Sequence, residues 1–186
     1  MKLKDLLLER KSSILTKWFD KIIEGYPSDT SSFLKKQKNQ FSNPVGNTIS
    51  QGINGLFDVL VQGSDPDKVY PFLDDIIRIK AVQDFSPSQA VSFIFLLKQV
   101  LRDTMKKEIL GKNSIAEELA SLESRIDEMI LLSFDIYVKC KERIYEIKAD
   151  EVKRMTFRLL QRANLICEVQ EPDVGSNTVL TKNIKG

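Results

Sequence analysis

The 186-residue chain contains no histidine. It has two cysteines that could cross-link it, and only eight glycines and six prolines that could interrupt its secondary structure. Histidine is the commonest general base and the commonest metal ligand. A carboxylate pair such as Asp74 and Asp75 could transfer protons, but side chains adjacent on a helix diverge and usually mark a solvated face. We therefore predict a protein that is not an enzyme, with no catalytic residue, no metal and no cofactor.

The two cysteines, Cys140 and Cys167, have neither the dense spacing of a disulfide framework nor the paired spacing of a zinc site. We expect reduced thiols in a cytoplasmic protein. Oxidant sensing by these thiols is an alternative, although only Lys139, Lys141 and Arg162 stand nearby in the sequence to lower a thiol pKa.

Neither sign of charge dominates, because 28 basic side chains balance 26 acidic ones. No uniform field is available to draw the protein to nucleic acid or to an anionic membrane. The cluster of Lys35, Lys36 and Lys38 is typical of a solvated helix. The longest apolar stretch without charge, residues 87–97, is about half of the ~20 residues that a spanning helix needs. We predict neither nucleic acid nor membrane as a partner.

Apolar residues recur at helical spacing along most of the chain, and glycine, proline and aspartate mark the joints. Residues 3–24 predict one helix with a break near residues 11–13, and the short helix after Ser28 is expected to reach Phe41. Nowhere does strand-like alternation persist. The sequence predicts an all-α fold of about six helices.

Three cap-and-proline pairs predict helix starts: Asn43-Pro44, Asp65-Pro66 and Ser86-Pro87. Gly46 is expected to let two segments approach closely. The helix that follows Ser86 is apolar almost all round from residue 90 to residue 97, so we expect it to be central and covered on several sides.

Polar and basic residues gather around the start of that central helix, where exposed N–H groups attract anions. We predict a ligand or anion site there, formed by Arg78, Lys80, Ser86, Ser88 and Gln89. In the alternative, Ser86 only caps the helix, and the two cations pair with Asp75 or Asp84.

The last helix is predicted to start near Ser114 and to run to about residue 168, since no glycine or proline interrupts it. At 1.5 Å per residue it would span roughly 80 Å, too long for one domain of this size. We expect part of it to project, or to fold back near residues 148–151. We predict a homodimer whose interface uses one apolar face of this helix: Ile126, Ile130, Phe134, Tyr137, Ile144 and Ile147. A fold-back of residues 152–166 would instead give a monomer.

Three segments, KWFDKIIEGYP (17–27), FLKKQKNQFSNPVG (33–46) and above all IIRIKAVQDFSPSQAVSFIFLLK (76–98), resemble the N-terminal domain of RsbRD-type proteins, co-antagonists of the stressosome. The resemblance covers about the first 110 residues. It implies a globin-like helical bundle without haem, a dimer, and a long helix that connects to a further domain. No strand-rich STAS segment follows residue 168, so co-antagonist activity toward a kinase is not implied.

We therefore predict a stand-alone sensory or regulatory domain (residues 1–147) with a helical extension (148–170) and a flexible tail (171–186), acting with a protein partner in a signalling assembly. Haem is not expected, because only Cys140 or Tyr137 could replace the missing histidine ligand. A structural adaptor without ligand is the alternative function. A sensor should have an apolar pocket beside Trp18, Phe57 or Phe93, whereas an adaptor should be packed solid there.

Overall fold

The computed structural model describes residues 2–36, 41–63, 66–111 and 113–163. Within these residues the chain forms seven α-helices and no strand, which confirms the all-α prediction. The globin-like arrangement stays a prediction. In chain order the elements are α1 (Leu3–Glu9), α2 (Lys11–Glu24), α3 (Ser28–Lys36), α4 (Pro44–Gln62), a 3-10 turn (Pro66–Lys68), α5 (Tyr70–Val82), α6 (Pro87–Gly111) and α7 (Asn113–Arg162).

The predicted break in the first helix falls at Arg10, which ends α1 and precedes α2 with φ −100° and ψ 9°. The Arg10 guanidinium donates a hydrogen bond to the carbonyl of Thr104, 2.6 Å away, and forms an ion pair with Glu108. Both partners lie on α6. The break therefore brings a cation from the N-terminal segment to the second half of the central helix.

α5 begins later than predicted, whereas α4 and α6 begin at their predicted prolines. Pro66 opens only the 3-10 turn, and the α-helix starts at Tyr70. Pro71 explains the shift, because proline lacks the N–H that an interior helical residue donates and is tolerated only in the first turn. Asp65, the predicted cap, lies outside the described residues.

The prediction for α3 is also partly wrong. The helix ends at Lys36, and Phe41 lies beyond it with its side chain exposed. Leu34 is buried, whereas Phe33 on the neighbouring position is about half exposed. Leu34 is the one buried side chain of this short helix, so the apolar pattern overstated its length.

The buried side chain of Asn43 joins α3 to α4. Its Oδ1 accepts a hydrogen bond from the N–H of Gly46 at 2.8 Å, and its Nδ2 donates to the carbonyl of Leu34 at 3.0 Å. A Cβ on Gly46 would collide with this side chain. The absence of a side chain at Gly46 therefore leaves room for the Asn43 side chain, which caps α4 and binds the end of α3.

Replacing Asn43 by alanine is expected to lower the free energy of unfolding by about 2 kcal/mol, because the helix cap is lost and the Leu34 carbonyl loses a buried partner. Urea unfolding followed by circular dichroism measures the change. Asn54→Ala, at an exposed position of α4, is the control and should change it by less than about 0.5 kcal/mol. Equal effects of the two substitutions would contradict the assigned role of Asn43.

α4 and α5 pack closely where α4 presents two glycines one turn apart. A Cβ on Gly52 would lie 2.7 Å from Cδ1 of Ile76, and a Cβ on Gly55 would collide with the ring of Phe72. The two glycines therefore form a flat surface on which α5 lies. This contact was not foreseen from the sequence.

The core is built around Trp18 of α2 and Phe93 of α6, both fully buried. Their rings are stacked with centroids 6.4 Å apart, and the Trp18 Nε1–H donates to the carbonyl of Phe93 at 2.7 Å. α6 contacts α2 and α5. It is not covered all round, however, because Ser92, Phe95 and Gln99 are exposed. The apolar character of Phe95 concealed this open face in the sequence.

α7 is helical without interruption through residues 148–151, so the chain does not turn there. The chain divides into two units, Met1–Tyr145 and Glu146–Gly186, and α7 contributes residues to each. The predicted domain boundary after residue 147 stays a prediction. Residues 164–186, which include Cys167 and the predicted flexible tail, lie outside the described residues.

Candidate functional site

The corner between α5 and α6 has an unusual backbone and is fastened from α7. Asp84 has a φ of 58°, a left-handed conformation that side-chain-bearing residues rarely adopt. The Tyr137 hydroxyl donates to the carbonyl of Phe85 at 2.6 Å. The Lys141 ammonium donates to Oδ1 of Asp84 at 3.0 Å, and this pairing raises the pKa of Lys141. Two side chains one turn apart on α7 thus hold the corner in place.

Lys80 is buried inside this corner, with only 3% of its surface exposed. Its ammonium lies 4.5 Å from the ring centroid of Phe85 and 5.1 Å from that of Tyr26. Burial lowers the pKa of Lys80 from 10.5 to about 8 and raises that of Tyr26 to about 12. Aromatic faces stabilise the cation only partly, so the buried charge carries a net cost.

The predicted anion site is assembled only in part. Ser86 accepts from the N–H of Gln89 at 3.4 Å, Gln89 Oε1 accepts from the N–H of Ser86 at 3.0 Å, and the hydroxyls of Ser86 and Ser88 are 3.2 Å apart. This reciprocal arrangement is a capping box. Arg78 instead pairs with Asp74 at 2.6 Å, and Lys80 is buried between rings. Anion binding at the α6 start stays a prediction, carried by the three polar residues alone.

The residues predicted for the dimer interface do not share one exposed face. Ile126 and Tyr137 are buried in the core of the first unit, and Ile130 and Ile144 are half-buried against it. Phe134 is about half exposed, as is Ile147 in the second unit. The predicted stripe therefore mixes the core-facing side of α7 with its surface.

Each unit carries exposed apolar side chains at seven-residue spacing on its part of α7, and we call the two sets together the outer stripe. Its members recur every seven residues, the spacing that leaves successive side chains only about 20° apart around a helix. In the first unit they are Leu131, Val138 and Tyr145, and in the second Val152 and Leu159. The seven-residue repeat was present in the sequence, but the longer core-facing stripe obscured it.

The three aromatic residues expected to border a sensor pocket are packed solid. Trp18, Phe57 and Phe93 are each at most 1% exposed. A groove of about 370 Å³ lies elsewhere, between α4 and α7, where Arg125 donates to the carbonyl of Leu60 at 3.0 Å. Arg125 there satisfies the C-terminal end of α4, which is a structural role.

Among the described residues, no three His, Cys, Asp or Glu side chains are grouped so that they could hold a metal ion. None of the described helices combines the length and the apolar character needed to cross a membrane. Of the lysine cluster, Lys35 pairs with Asp20 at 3.4 Å, and Lys38 lies outside the described residues.

These features define an all-α domain whose long final helix carries an apolar outer face. Residues 12–152 match the family "RsbT co-antagonist protein rsbRD N-terminal domain", and the chain belongs to this family. The match extends beyond the 110 residues of the resemblance and includes most of α7. An uncharacterized protein of Archaeoglobus fulgidus is 26% identical over an alignment of 149 residues, and the alignment covers 77% of this chain and 85% of that protein. No solved structure matches the chain.

Proposed function

We propose that the chain is a cytoplasmic, non-enzymatic sensory or regulatory domain that forms a homodimer and acts on a protein partner in a stress-signalling assembly. The family description supports a regulatory role, because it assigns the domain to a co-antagonist protein. The outer stripe is the observation that supports dimerisation. The outer stripe lies on α7, and we expect α7 to transmit a conformational change in the domain to a partner.

Exposure of the outer stripe has a cost that a second copy would remove. Leu131 is 71% exposed and Val152 and Leu159 are each 62% exposed, although large apolar side chains are normally buried. A seven-residue apolar repeat is typical of helices that pair side by side.

Replacing Val152 by glutamate is expected to dissociate the dimer, because two carboxylates would be brought into an apolar seam. Sedimentation equilibrium at tens of micromolar should give twice the 21.3 kDa chain mass for the wild type and the single mass for the variant. Helicity should be unchanged, since Val152 has no neighbour that buries it.

Ile147→Glu is the matched control, because Ile147 is 55% exposed on the same helix and in the same unit but lies off the outer stripe. It also belongs to the face predicted from the sequence. Loss of the dimer in Ile147→Glu but not in Val152→Glu would favour that face and contradict the outer stripe. A monomeric wild type would contradict dimerisation by either face.

A structural adaptor without ligand is the second candidate, and the solid packing around Trp18, Phe57 and Phe93 favours it over a sensor with a central pocket. Native mass spectrometry of the purified protein separates the two. A copurifying small molecule at a defined stoichiometry would contradict the adaptor.

A further inference from the structure

The groove of about 370 Å³ between α4 and α7 lies within the first unit and has an apolar floor. Leu60, Val69 and Met129 form this floor, and all three belong to the buried core. Ligand pockets span roughly 300–1,000 Å³, so the groove suits a molecule at the small end of that range. Because methionine is unbranched and flexible, Met129 can adjust to the shape of an occupant.

Two opposite charges line the same groove, Arg125 and Glu128, about one turn apart on α7. The Arg125 Nη1–H donates to the carbonyl of Leu60 at 3.0 Å, and a Cβ on Gly63 would lie 3.3 Å from Nη1. The guanidinium is therefore turned toward the end of α4, and this bond uses one of its five N–H donors. Its partner is a neutral carbonyl, so the positive charge is not compensated there.

The charges of Arg125 and Glu128 are both available to a ligand. Neither side chain forms an ion pair with any residue in the part of the chain that the structure describes. They also do not pair with each other, although a spacing of three residues on a helix brings side chains within about 5–6 Å at Cβ. The groove thus presents one cation and one carboxylate beside an apolar floor.

This pair of charges selects against ligands with a single charge. A simple anion that pairs with Arg125 would lie close to the Glu128 carboxylate, and a simple amine that pairs with Glu128 would lie close to the guanidinium. A molecule that carries an ammonium and a carboxylate on one carbon can satisfy both side chains at this spacing. An apolar group on the same carbon would cover the floor of the groove.

We propose that the groove between α4 and α7 binds a small apolar α-amino acid, whose carboxylate pairs with Arg125, whose ammonium pairs with Glu128 and whose side chain lies on the apolar floor. The site names the class of ligand for the proposed sensory function and rests on that function. Binding is measured separately from dimerisation. A monomer that binds the amino acid would contradict dimerisation alone, and a dimer that does not bind it would contradict this site alone.

Nuclear magnetic resonance of protein with isotope-labelled methionine methyl groups locates the binding. Of the four methionines, Met129 lines the groove, whereas Met155 is exposed in the second unit. L-Leucine should shift the Met129 methyl signal saturably and leave the Met155 signal in place, and Met129→Leu assigns the first of these signals. No saturable shift of Met129, or equal shifts of both signals, would overturn the proposal.

Two analogues test the requirement for both charges. Isocaproate lacks the ammonium of leucine and isoamylamine lacks its carboxylate, and both keep the apolar side chain. Each should bind about fivefold more weakly than leucine, the effect of losing one partly exposed ion pair. Added salt should reduce these differences. Binding of either analogue as tightly as leucine would show an apolar site without recognition of the zwitterion, which overturns the proposal.

Glu128→Gln is the sharpest variant, because Glu128 is exposed and has no ion pair among the described residues, so the fold should be unaffected. It should lose the preference for leucine over isocaproate. Arg125→Gln should lose the preference for leucine over isoamylamine, although it also removes the bond to Leu60. Glu142→Gln changes an exposed glutamate of α7 in the first unit, outside the groove, and should keep both preferences. An unchanged preference for leucine over isocaproate in Glu128→Gln would refute the assigned role of this carboxylate and with it the proposal.

Discussion

Replacing Lys80 by methionine is expected to raise the free energy of unfolding at pH 7 by about 2 kcal/mol. The Lys80 side chain is 3% exposed, and burial lowers its pKa from 10.5 to about 8. That shift corresponds to a cost of about 3 kcal/mol for the charged form. The rings of Tyr26 and Phe85 offset on the order of 1 kcal/mol. Methionine has a similar shape and no charge to bury.

The pH dependence of the free energy of unfolding shows whether the buried charge of Lys80 stabilises or destabilises the folded protein. A base with a depressed pKa in the folded protein binds its proton more tightly when unfolded, so the wild type should gain stability as pH rises from about 8 to 10.5. Below about pH 8 Lys80 is charged in the folded protein, so the full free-energy cost of burying its ammonium is present. The pKa of Tyr26 is raised to about 12, so that phenol stays neutral throughout this window. The hydrogen bond to Asp84 raises the pKa of Lys141 at the same corner, so Lys141 keeps its charge over this window.

Urea unfolding at several pH values between 6 and 10 measures both the gain and the slope. Lys80→Met should abolish the rise above pH 8, whereas Lys80→Arg should keep the cost at every pH because arginine does not lose its proton. Lys17→Met, on the exposed side of α2, removes the same charge without burial and should change stability by less than about 0.5 kcal/mol. A destabilised Lys80→Met would show that the buried ammonium contributes favourably.

The helices could be predicted from the sequence because local signals specify them. Ser86-Pro87 marks the start of α6, and Gly63, with a φ of 69°, caps α4 as a left-handed glycine. These signals depend only on residues within one turn of each other. Pro71 is a local signal that the sequence prediction overlooked, because the helix start was assigned to Pro66, five residues earlier, whereas α5 begins next to Pro71.

The candidate sites were harder to predict because they depend on which face of a helix meets which neighbour. Arg78 and Lys80 are two residues apart in sequence, yet Arg78 pairs with Asp74 at the surface and Lys80 lies between Tyr26 and Phe85. Helical spacing places residues i and i+2 about 200° apart, so the two cations could not have served one anion site. The predicted anion site grouped the two cations because they are close in sequence, and it overlooked this angular separation.

Gly52→Val is expected to lower the free energy of unfolding by about 3 kcal/mol through overpacking alone. A Cβ at this position would lie 2.7 Å from Cδ1 and 2.8 Å from Cγ1 of Ile76, and 3.4 Å from the carbonyl oxygen of Phe72. Valine has the better helix propensity of the two residues, so any loss must arise from packing between α4 and α5. Thermal and urea unfolding should both show it.

A double-mutant cycle identifies the partner. Ile76→Ala alone opens a cavity in the core and should cost 2 kcal/mol or more, at roughly the usual scale for such truncations. In the double variant the valine side chain would occupy part of that cavity. Its loss of unfolding free energy should therefore be smaller than the sum of the two single losses by about 1 kcal/mol or more. Ser50→Val, at an exposed position of α4, controls for the β-branched residue itself. Strict additivity of Gly52→Val and Ile76→Ala would mean that the two helices do not meet at this glycine.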